Sequence, residues 1–548
     1  MSGNNPNSPW WKGAVFYQIY PRSFYDSNND GIGDLPGITQ KLEHLADLGV
    51  DGLWISPFFK SPMKDFGYDI SDYRDVSPLF GTIDDFDKLL AKAHDLGIKI
   101  IIDIILSHTS KEHPWFIESR SSKDNPKADW YVWAPPKQDG TPPNNWRSLF
   151  GGEAWTFETR REEFYMHNFL PEQPDLNFHN PDVRDMMIDT CRFWLDKGID
   201  GFRLDVINFI YHDKELRDNP PKDAGDTSSA TQYEKLDPYS MQKHIYDKSR
   251  PEAIEFVQRL RKLMDEYPGT MTLGEIGDDH AVAAAAAYTS GNDKLHTAYS
   301  FALMTGDKLT APLIQNAVSA FFEQPGDGYP SWAFCNHDVV RVASRWGSKH
   351  GYEHNKDFTK LVFALLCSLK GTAFIYQGEE LGLTEAAITY EQLQDPWGKY
   401  LWPEWQGRDG CRTPIPWNAQ KPHAGFSQAE STWLPIPQDH KDKAIATQLD
   451  DPDSMLRFAQ AFLQWRTKHP VFKDGDIEFI ATDDEELLHF TRSLDGKIVH
   501  CIFNLSSDTK TMELSAYSKE TAITFHNKPQ HNNSGQITLP PFAFVYSF

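Results

Sequence analysis

The 548-residue chain has little cysteine, a deficit of positive charge and no long apolar run, and each shortage excludes something. Cys191, Cys335, Cys367, Cys411 and Cys501 are scattered, odd in number and without CxxC spacing. Such thiols argue against a disulfide framework and for a reducing, cytoplasmic setting. Lys and Arg total 54 against 78 Asp and Glu, leaving a formal net charge of -24. That balance offers no broad basic field to a phosphate backbone or an anionic bilayer, so neither nucleic acid nor a membrane is an expected partner. No uninterrupted apolar stretch suits a membrane span, and the opening MSGNNPNSPWW lacks the basic-then-apolar pattern of a secretion signal. No HxH or HExxH motif is present for a catalytic metal, and Gly31-Ile32-Gly33 lacks the lysine of a phosphate-binding loop.

Aromatic rings, by contrast, are abundant, with 17 Trp, 21 Tyr and 35 Phe. Most belong in a core, but exposed rings among carboxylates suit neutral, hydroxyl-covered ligands such as sugars. The length and the 40% hydrophobic content allow one very large core or two to three domains.

Continuously apolar strands alternate with amphipathic helices along most of the chain, the pattern of parallel strands covered on both faces. Strands are predicted at residues 14–21, 50–57, 99–106, 198–205, 270–277, 297–303, 332–338 and 371–380. Thr82 and Asp85 form a capping pair before the helix bearing Phe86, Leu89, Leu90 and Ala93, and Asn180-Pro181 opens another. Eight alternations predict an α/β fold, a closed (β/α)8 TIM barrel over residues 1–109 and 178–470. Residues 110–177, rich in Trp, Pro and Asn, break the rhythm as an inserted domain after the third strand. From residue 471 short alternating strands separated by turns such as Asp495-Gly496 and Asn533-Ser534-Gly535, without a helix, predict a C-terminal antiparallel β-sandwich domain over 471–548.

Chemistry in such barrels sits at the C-terminal strand ends. Those ends bring Asp65 and Tyr68, His108, Arg203 with Asp205, Glu275, and His337 with Asp338. Strand alternation places Arg203 and Asp205 on one face, where the arginine favours an ionised aspartate. Several carboxyls converging on one pocket raise at least one pKa, as a general acid at neutral pH requires. An ionised aspartate beside a protonatable glutamate suits glycosidic cleavage. Separately, Asp26, Asn28, Asp30 and Asp34 alternate along a glycine-containing loop that can wrap Ca2+ or Mg2+ with the Ile32 carbonyl. It is not an EF-hand, because Gly37 occupies the twelfth position.

These residues carry a resemblance. DIILSHT at 103–109, GFRLDVINF at 201–209, GEIG at 274–277 and CNHD at 335–338 resemble the motifs of the α-amylase superfamily (glycoside hydrolase family 13), and within it the α-glucosidase and oligo-1,6-glucosidase branch. QIYPRSF at 18–24, QPDLN at 173–177 and GCRTPIPW at 410–417 support it. The resemblance implies that Asp205 is the nucleophile, Glu275 the acid/base and Asp338 the third carboxylate. It implies that Arg203 orients Asp205, that His108 and His337 hydrogen-bond the glucosyl ring, and that Tyr68 stacks beneath it. Asp65 and Arg412 would hold its far hydroxyls and make the enzyme exo-acting, with Phe150, Phe169 and Phe301 as walls. The metal loop would be structural. Implied partners are small neutral α-glucosides and hydroxyl acceptors, with the protein a monomer or weak homo-oligomer. Val206 after the nucleophile resembles α-1,6-cutting members, whereas GEIGDD at 274–279 resembles α-1,4-cutting ones, and the wider loop texture favours α-1,4 narrowly. Ser107, where many relatives carry Asn, is expected to loosen bonding near His108.

Overall fold

The structure, a computed structural model, describes residues 8–224, 238–513, 522–531 and 536–548. Residues 1–7, part of the polar stretch after the fourth strand and the turn at 533–535 lie outside the described residues. Eight strands form one parallel sheet: β1 (Val15–Ile19), β2 (Gly52–Ile55), β3 (Lys99–Ile105), β4 (Gly201–Asp205), β5 (Met271–Ile276), β6 (Thr297–Ser300), β7 (Ser331–Ala333) and β8 (Thr372–Tyr376). Their order is β6-β5-β4-β3-β2-β1-β8-β7, and a parallel bridge between Ala298 and Pro330 joins β6 to β7 and closes the ring. Every residue of β4, β5 and β8 is buried, so β8 reads as an apolar run and the charged Arg203, Asp205 and Glu275 of β4 and β5 must find partners inside the barrel. At Gly201 (φ 154°) a Cβ would collide with the Met271 carbonyl of β5, so only glycine lets β4 start that close to its neighbour.

The helices begin as their caps dictate. In α1 (Ile83–Asp95) Thr82 and Asp85 form a reciprocal capping box, burying Phe86, Leu89, Leu90 and Ala93. In α2 (Pro181–Asp196) the Asn180 side chain accepts from the Asp182 N–H, with proline opening the helix. No helix among the described residues is long and apolar enough to cross a membrane.

Several predicted strands end early. β7 stops at Ala333, so His337 and Asp338 stand on a loop beyond it, and the expected end of β6 is instead a 3-10 turn, Phe301–Leu303. Apolar composition could not mark the end of β7, because the chain stays buried through His337 after the ladder stops. The insertion after β3 holds a three-stranded antiparallel sheet (Trp133–Ala134, Trp155–Glu158, Glu163–Met166), tied back to the barrel by a bridge between His108 and Asp175. At the C-terminus antiparallel sheets of five and three strands follow. One expectation there is corrected: a helical turn, Val471–Asp474, precedes the first of these strands, because Gly475 and the strand partner Ser493 end the helix only at that point.

Candidate active site

At the C-terminal rim of the barrel one cavity, with an empty volume of about 800 Å3 partly open to solvent, is lined by Asp65, Tyr68, His108, Phe150, Phe169, Gln173, Asp205, Val206, Phe209, Glu275, Phe301, Asp338, Trp397 and Arg408 among others. Packed apolar groups share the wall, with the Phe150 ring stacked on Trp397 at 4.9 Å and Phe169 on Phe209 at 5.6 Å between centroids. Asp65, Tyr68, His108, Phe150, Phe169, Asp205, Val206, Glu275, Phe301 and Asp338, all singled out in the sequence, therefore meet here.

Arg203, His337 and Arg412 stand behind the cavity wall rather than in it. Arg203 is fully buried and bridges three carboxylates. Its Nη1 donates to Asp205 Oδ1 at 2.6 Å and Asp103 Oδ1 at 2.8 Å, and its Nη2 lies 2.5 Å from Glu275 Oε2. The expected contact with Asp205 is present, and the same guanidinium is also shared with Asp103 and Glu275. Burial pushes Asp205 and Glu275 up to about 7 each, against the pull of Arg203. Two carboxyls around one shared cation cannot both ionise easily, so a proton resides on the pair near neutral pH. Tyr299 adds to this network, its hydroxyl donating to Glu275 Oε1 at 2.9 Å while accepting from Arg203 Nη2 at 3.0 Å.

Both ring nitrogens of His337 have partners within the protein. Nδ1 accepts from Gln18 Nε2 at 2.8 Å, and Nε2 lies 2.6 Å from the Tyr68 hydroxyl and 3.2 Å from Asp338 Oδ2. The Tyr68 ring stacks on it within 3° of parallel. Burial lowers its pKa well below the usual range and leaves it neutral. Burial alone would raise Asp338, yet that carboxyl is held below the ordinary range by its positive neighbours. With His337 neutral, the guanidiniums of Arg408 and Arg412, at 3.1 and 2.9 Å, carry that effect.

The arginine that meets Asp65 is Arg408, not Arg412. Arg408 Nη2 donates to Asp65 Oδ1 at 3.0 Å and to Asp395 Oδ1 at 2.8 Å, and its Nη1 to Asp338. Arg412 donates from Nε to the His337 carbonyl at 2.7 Å and from Nη2 to Asp338. The two arginines sit either side of a 3-10 turn, Asp409–Cys411, so only one can point into the cavity, and the Asp395 carboxylate clamps Arg408 there. Burial raises Asp65 to about 6, opposed by Arg408 and Arg412.

His108 remains neutral, its pKa lowered to about 3 by burial. The expected looseness beside it is not seen, since Ser107 Oγ lies 3.0 Å from His108 Nδ1. Gln173 Nε2 reaches both Asp65 Oδ2, at 3.2 Å, and His108 Nε2, at 3.1 Å. Gln173 and Arg408 are the polar pocket residues that the sequence left without a role. Gln173 was visible inside QPDLN, but Arg408 lies just outside the segment that starts at Gly410.

Val206, directly after Asp205, adopts φ 33°, ψ 51°. A β-branched residue in the left-handed region is strained by about 1–3 kcal/mol and persists only where its surroundings impose it. Here that conformation turns its N–H to Glu275 Oε2 at 3.2 Å.

The metal loop is less tightly gathered than its spacing suggests. Asp26 accepts from the Asn29 and Gly31 N–H groups at 2.7 and 2.8 Å, and Asp30 accepts from the Ile32 N–H at 2.9 Å. Asp34 caps the following helix, Leu35–Gln40, through the Gly37 N–H at 2.6 Å and accepts from Ser27 with its other oxygen. Among the described residues no three His, Cys, Asp or Glu side chains converge as a metal-holding group. Asn28, Asp30 and the Ile32 carbonyl nevertheless remain on one exposed turn beside Asp26.

A parallel barrel whose C-terminal rim gathers Asp205, Glu275 and Asp338 around arginines defines the class as a glycoside hydrolase of (β/α)8 fold. The chain belongs to the alpha-amylase family: the model of its catalytic domain matches residues 18–475. A probable alpha-glucosidase of Rhizobium meliloti (strain 1021) is 52% identical, covering 93% of this chain and 92% of that protein. An oligo-1,6-glucosidase of Parageobacillus thermoglucosidasius is 37% identical over 98% of each chain. Among solved structures, an alpha-glucosyl transfer enzyme, XgtA, is 50% identical and superposes with a TM-score of 0.94, covering 99% of both chains. The trehalulose synthase MutB, at 29% identity, superposes with a TM-score of 0.88, covering 99% of this chain and all of that one.

Proposed function

We propose that the protein is a retaining, exo-acting α-glucosidase that releases terminal α-glucose from disaccharides and short oligosaccharides, with α-1,4 bonds narrowly preferred, and that it also passes glucose to acceptor hydroxyls. The observation that carries this reading is the Asp65–Arg408 ion pair, at 3.0 Å, in the wall of the same cavity that Asp205 and Glu275 line, where it would close the pocket beyond one sugar. Asp205 would attack the anomeric carbon while Glu275, whose pKa is raised to about 7 by burial, protonates the departing oxygen. Both are held through one arginine, which supports the separation of about 5 Å that goes with retention rather than inversion. Asp338, kept ionised, would grip ring hydroxyls, and Asp65, His108 and Arg408 the far side of the sugar. The apolar part of the cavity wall would exclude water from the glucosyl ester and so favour transfer. Five buried thiols support a cytoplasmic setting.

Initial rates on maltose, isomaltose, sucrose and a longer maltooligosaccharide test the reading. Fastest glucose release from maltose, falling with chain length, is the expected result. Faster cleavage of isomaltose would make the protein an oligo-1,6-glucosidase, the reading Val206 favours. A dominant isomeric disaccharide from sucrose would make it an isomerase on the same fold, an outcome that the likeness to MutB keeps in play.

We also propose that the turn with Asp26, Asn28, Asp30, Ile32 and Asp34 holds one Ca2+ or Mg2+ ion for stability. It lies apart from the catalytic cavity, none of its residues lining that wall. Chelation should lower the melting temperature while leaving turnover at low temperature little changed. An unchanged melting curve would rule the ion out.

A further inference from the structure

The hydrogen-bonded ladder between β4 and β5 ends at the Leu204–Gly274 pair, one residue short of both Asp205 and Glu275. Beyond that point the carboxyl-bearing ends of the two strands need another tie. The Asn208 side chain, fully buried, supplies one. Its Nδ2 donates to the Gly277 carbonyl at 2.9 Å, and its Oδ1 accepts from the Gly277 N–H at 3.2 Å. This amide reproduces with one side chain the paired bonds of a ladder. The same Nδ2 donates to Ser249 Oγ at 2.9 Å, the Asn208 carbonyl accepts from the Ser249 N–H at 2.7 Å, and Ser249 Oγ donates to Asp278.

We propose that Asn208 is a positioning residue for the acid/base carboxylate, stapling the end of β4 to the end of β5 and so fixing Val206 N–H and Gly277 on either side of Glu275. The inference rests on the reading of Glu275 as the acid/base. Asn208 lies two residues after Val206 and grips the chain two residues after Glu275, so both sides of the short loop between those groups depend on it. Val206 holds a left-handed conformation that a β-branched residue takes only when its neighbours impose it, and the anchored 3-10 turn, Ile207–Phe209, comes directly after it. Gly277 leaves no room for a substitute contact, since a Cβ there would already lie 3.3 Å from the Phe209 ring. Asp205, in contrast, is paired with Ile105 of β3 and bonded to Arg203, so it keeps its place without the staple.

That difference gives a test that separates positioning from general stability. Phenyl α-glucoside needs its leaving oxygen protonated, whereas α-glucosyl fluoride departs without a proton, and kcat/KM reports formation of the glucosyl ester for both. Asn208→Ala should lower kcat/KM on the phenyl glucoside by about 100-fold, the size of effect a misplacement near 1 Å produces, but by less than about threefold on the fluoride. Asn208→Asp keeps the shape and the acceptor for the Gly277 N–H while losing both donated bonds, and should show the same split if the alanine variant does not fold. Equal losses on both donors, or undiminished activity on the phenyl glucoside, would overturn the inference. Glu275→Gln run alongside should show the split in stronger form. Equal losses in that variant would remove Glu275 from the acid/base role and the inference with it.

Discussion

Replacing Asp205 by asparagine is expected to lower turnover by about four to six orders of magnitude, the scale seen when a catalytic nucleophile is removed. The amide keeps the shape of the carboxylate and can still accept from Arg203 Nη1, so the barrel around it should not move. What it lacks is the charge and the oxygen nucleophile that forms the ester. The melting temperature should hold or rise, because Asp205 is almost fully buried and burial, against the pull of Arg203, pushes its pKa up to about 7. Removing one of three acids around Arg203 relieves that desolvation cost. In the unmodified protein the first sugar released should be α-glucose, with slower mutarotation afterwards in polarimetry or proton NMR. Release of β-glucose first would exclude a covalent intermediate on Asp205.

Glu275→Gln is the second large effect, an expected loss of about 10² to 10⁴ on donors with poor leaving groups. Its pH signature comes from the raised pKa. A carboxyl with an ordinary pKa near 4.3 would be deprotonated through most of the neutral range. Burial, opposed by Arg203, lifts Glu275 to about 7, so the acid form persists up to neutral pH and is lost above it. The kcat/KM profile of the unmodified protein should therefore fall on its basic side with an apparent pKa near 7. It should fall on the acidic side as the Asp205–Glu275 pair takes up its second proton. These apparent values belong to the pair rather than to either residue. In Glu275→Gln the basic limb should disappear. A basic limb surviving unchanged in that variant would assign the acid to another group.

The order in which chemistry becomes legible tracks chain distance. Arg203 and Asp205 are two residues apart on one strand, and alternation alone predicts that they touch. Thr82 and Asp85, one helical turn apart, close their capping box as their spacing says. Asp65 and Arg408 are separated by 343 positions, and nothing local distinguishes Arg408 from Arg412. The missing element was Asp395, whose carboxylate both caps the helix Pro396–Leu401 and fixes Arg408, and whose own segment carries no motif. The division of Arg203 among Asp103, Asp205 and Glu275 is a further case, since it depends on three strands meeting at one height in the barrel.

By itself the sequence determined the alternation of strands and helices, the barrel they imply and the carboxylates that end its strands. Each depends on periodicity over a few residues, and burial on both faces of a parallel strand leaves a plain apolar run. Only the tertiary structure decided how charge is shared at the rim: which arginine closes the pocket, which acids compete for Arg203, that His337 partners Gln18 and Tyr68, and that Asn208 ties the two reacting strands together. These are contacts of a few ångströms between groups far apart in the chain, and the low dielectric of a buried site makes their energies steep in distance. A local pattern brings such residues to the same rim but leaves open which of them touch.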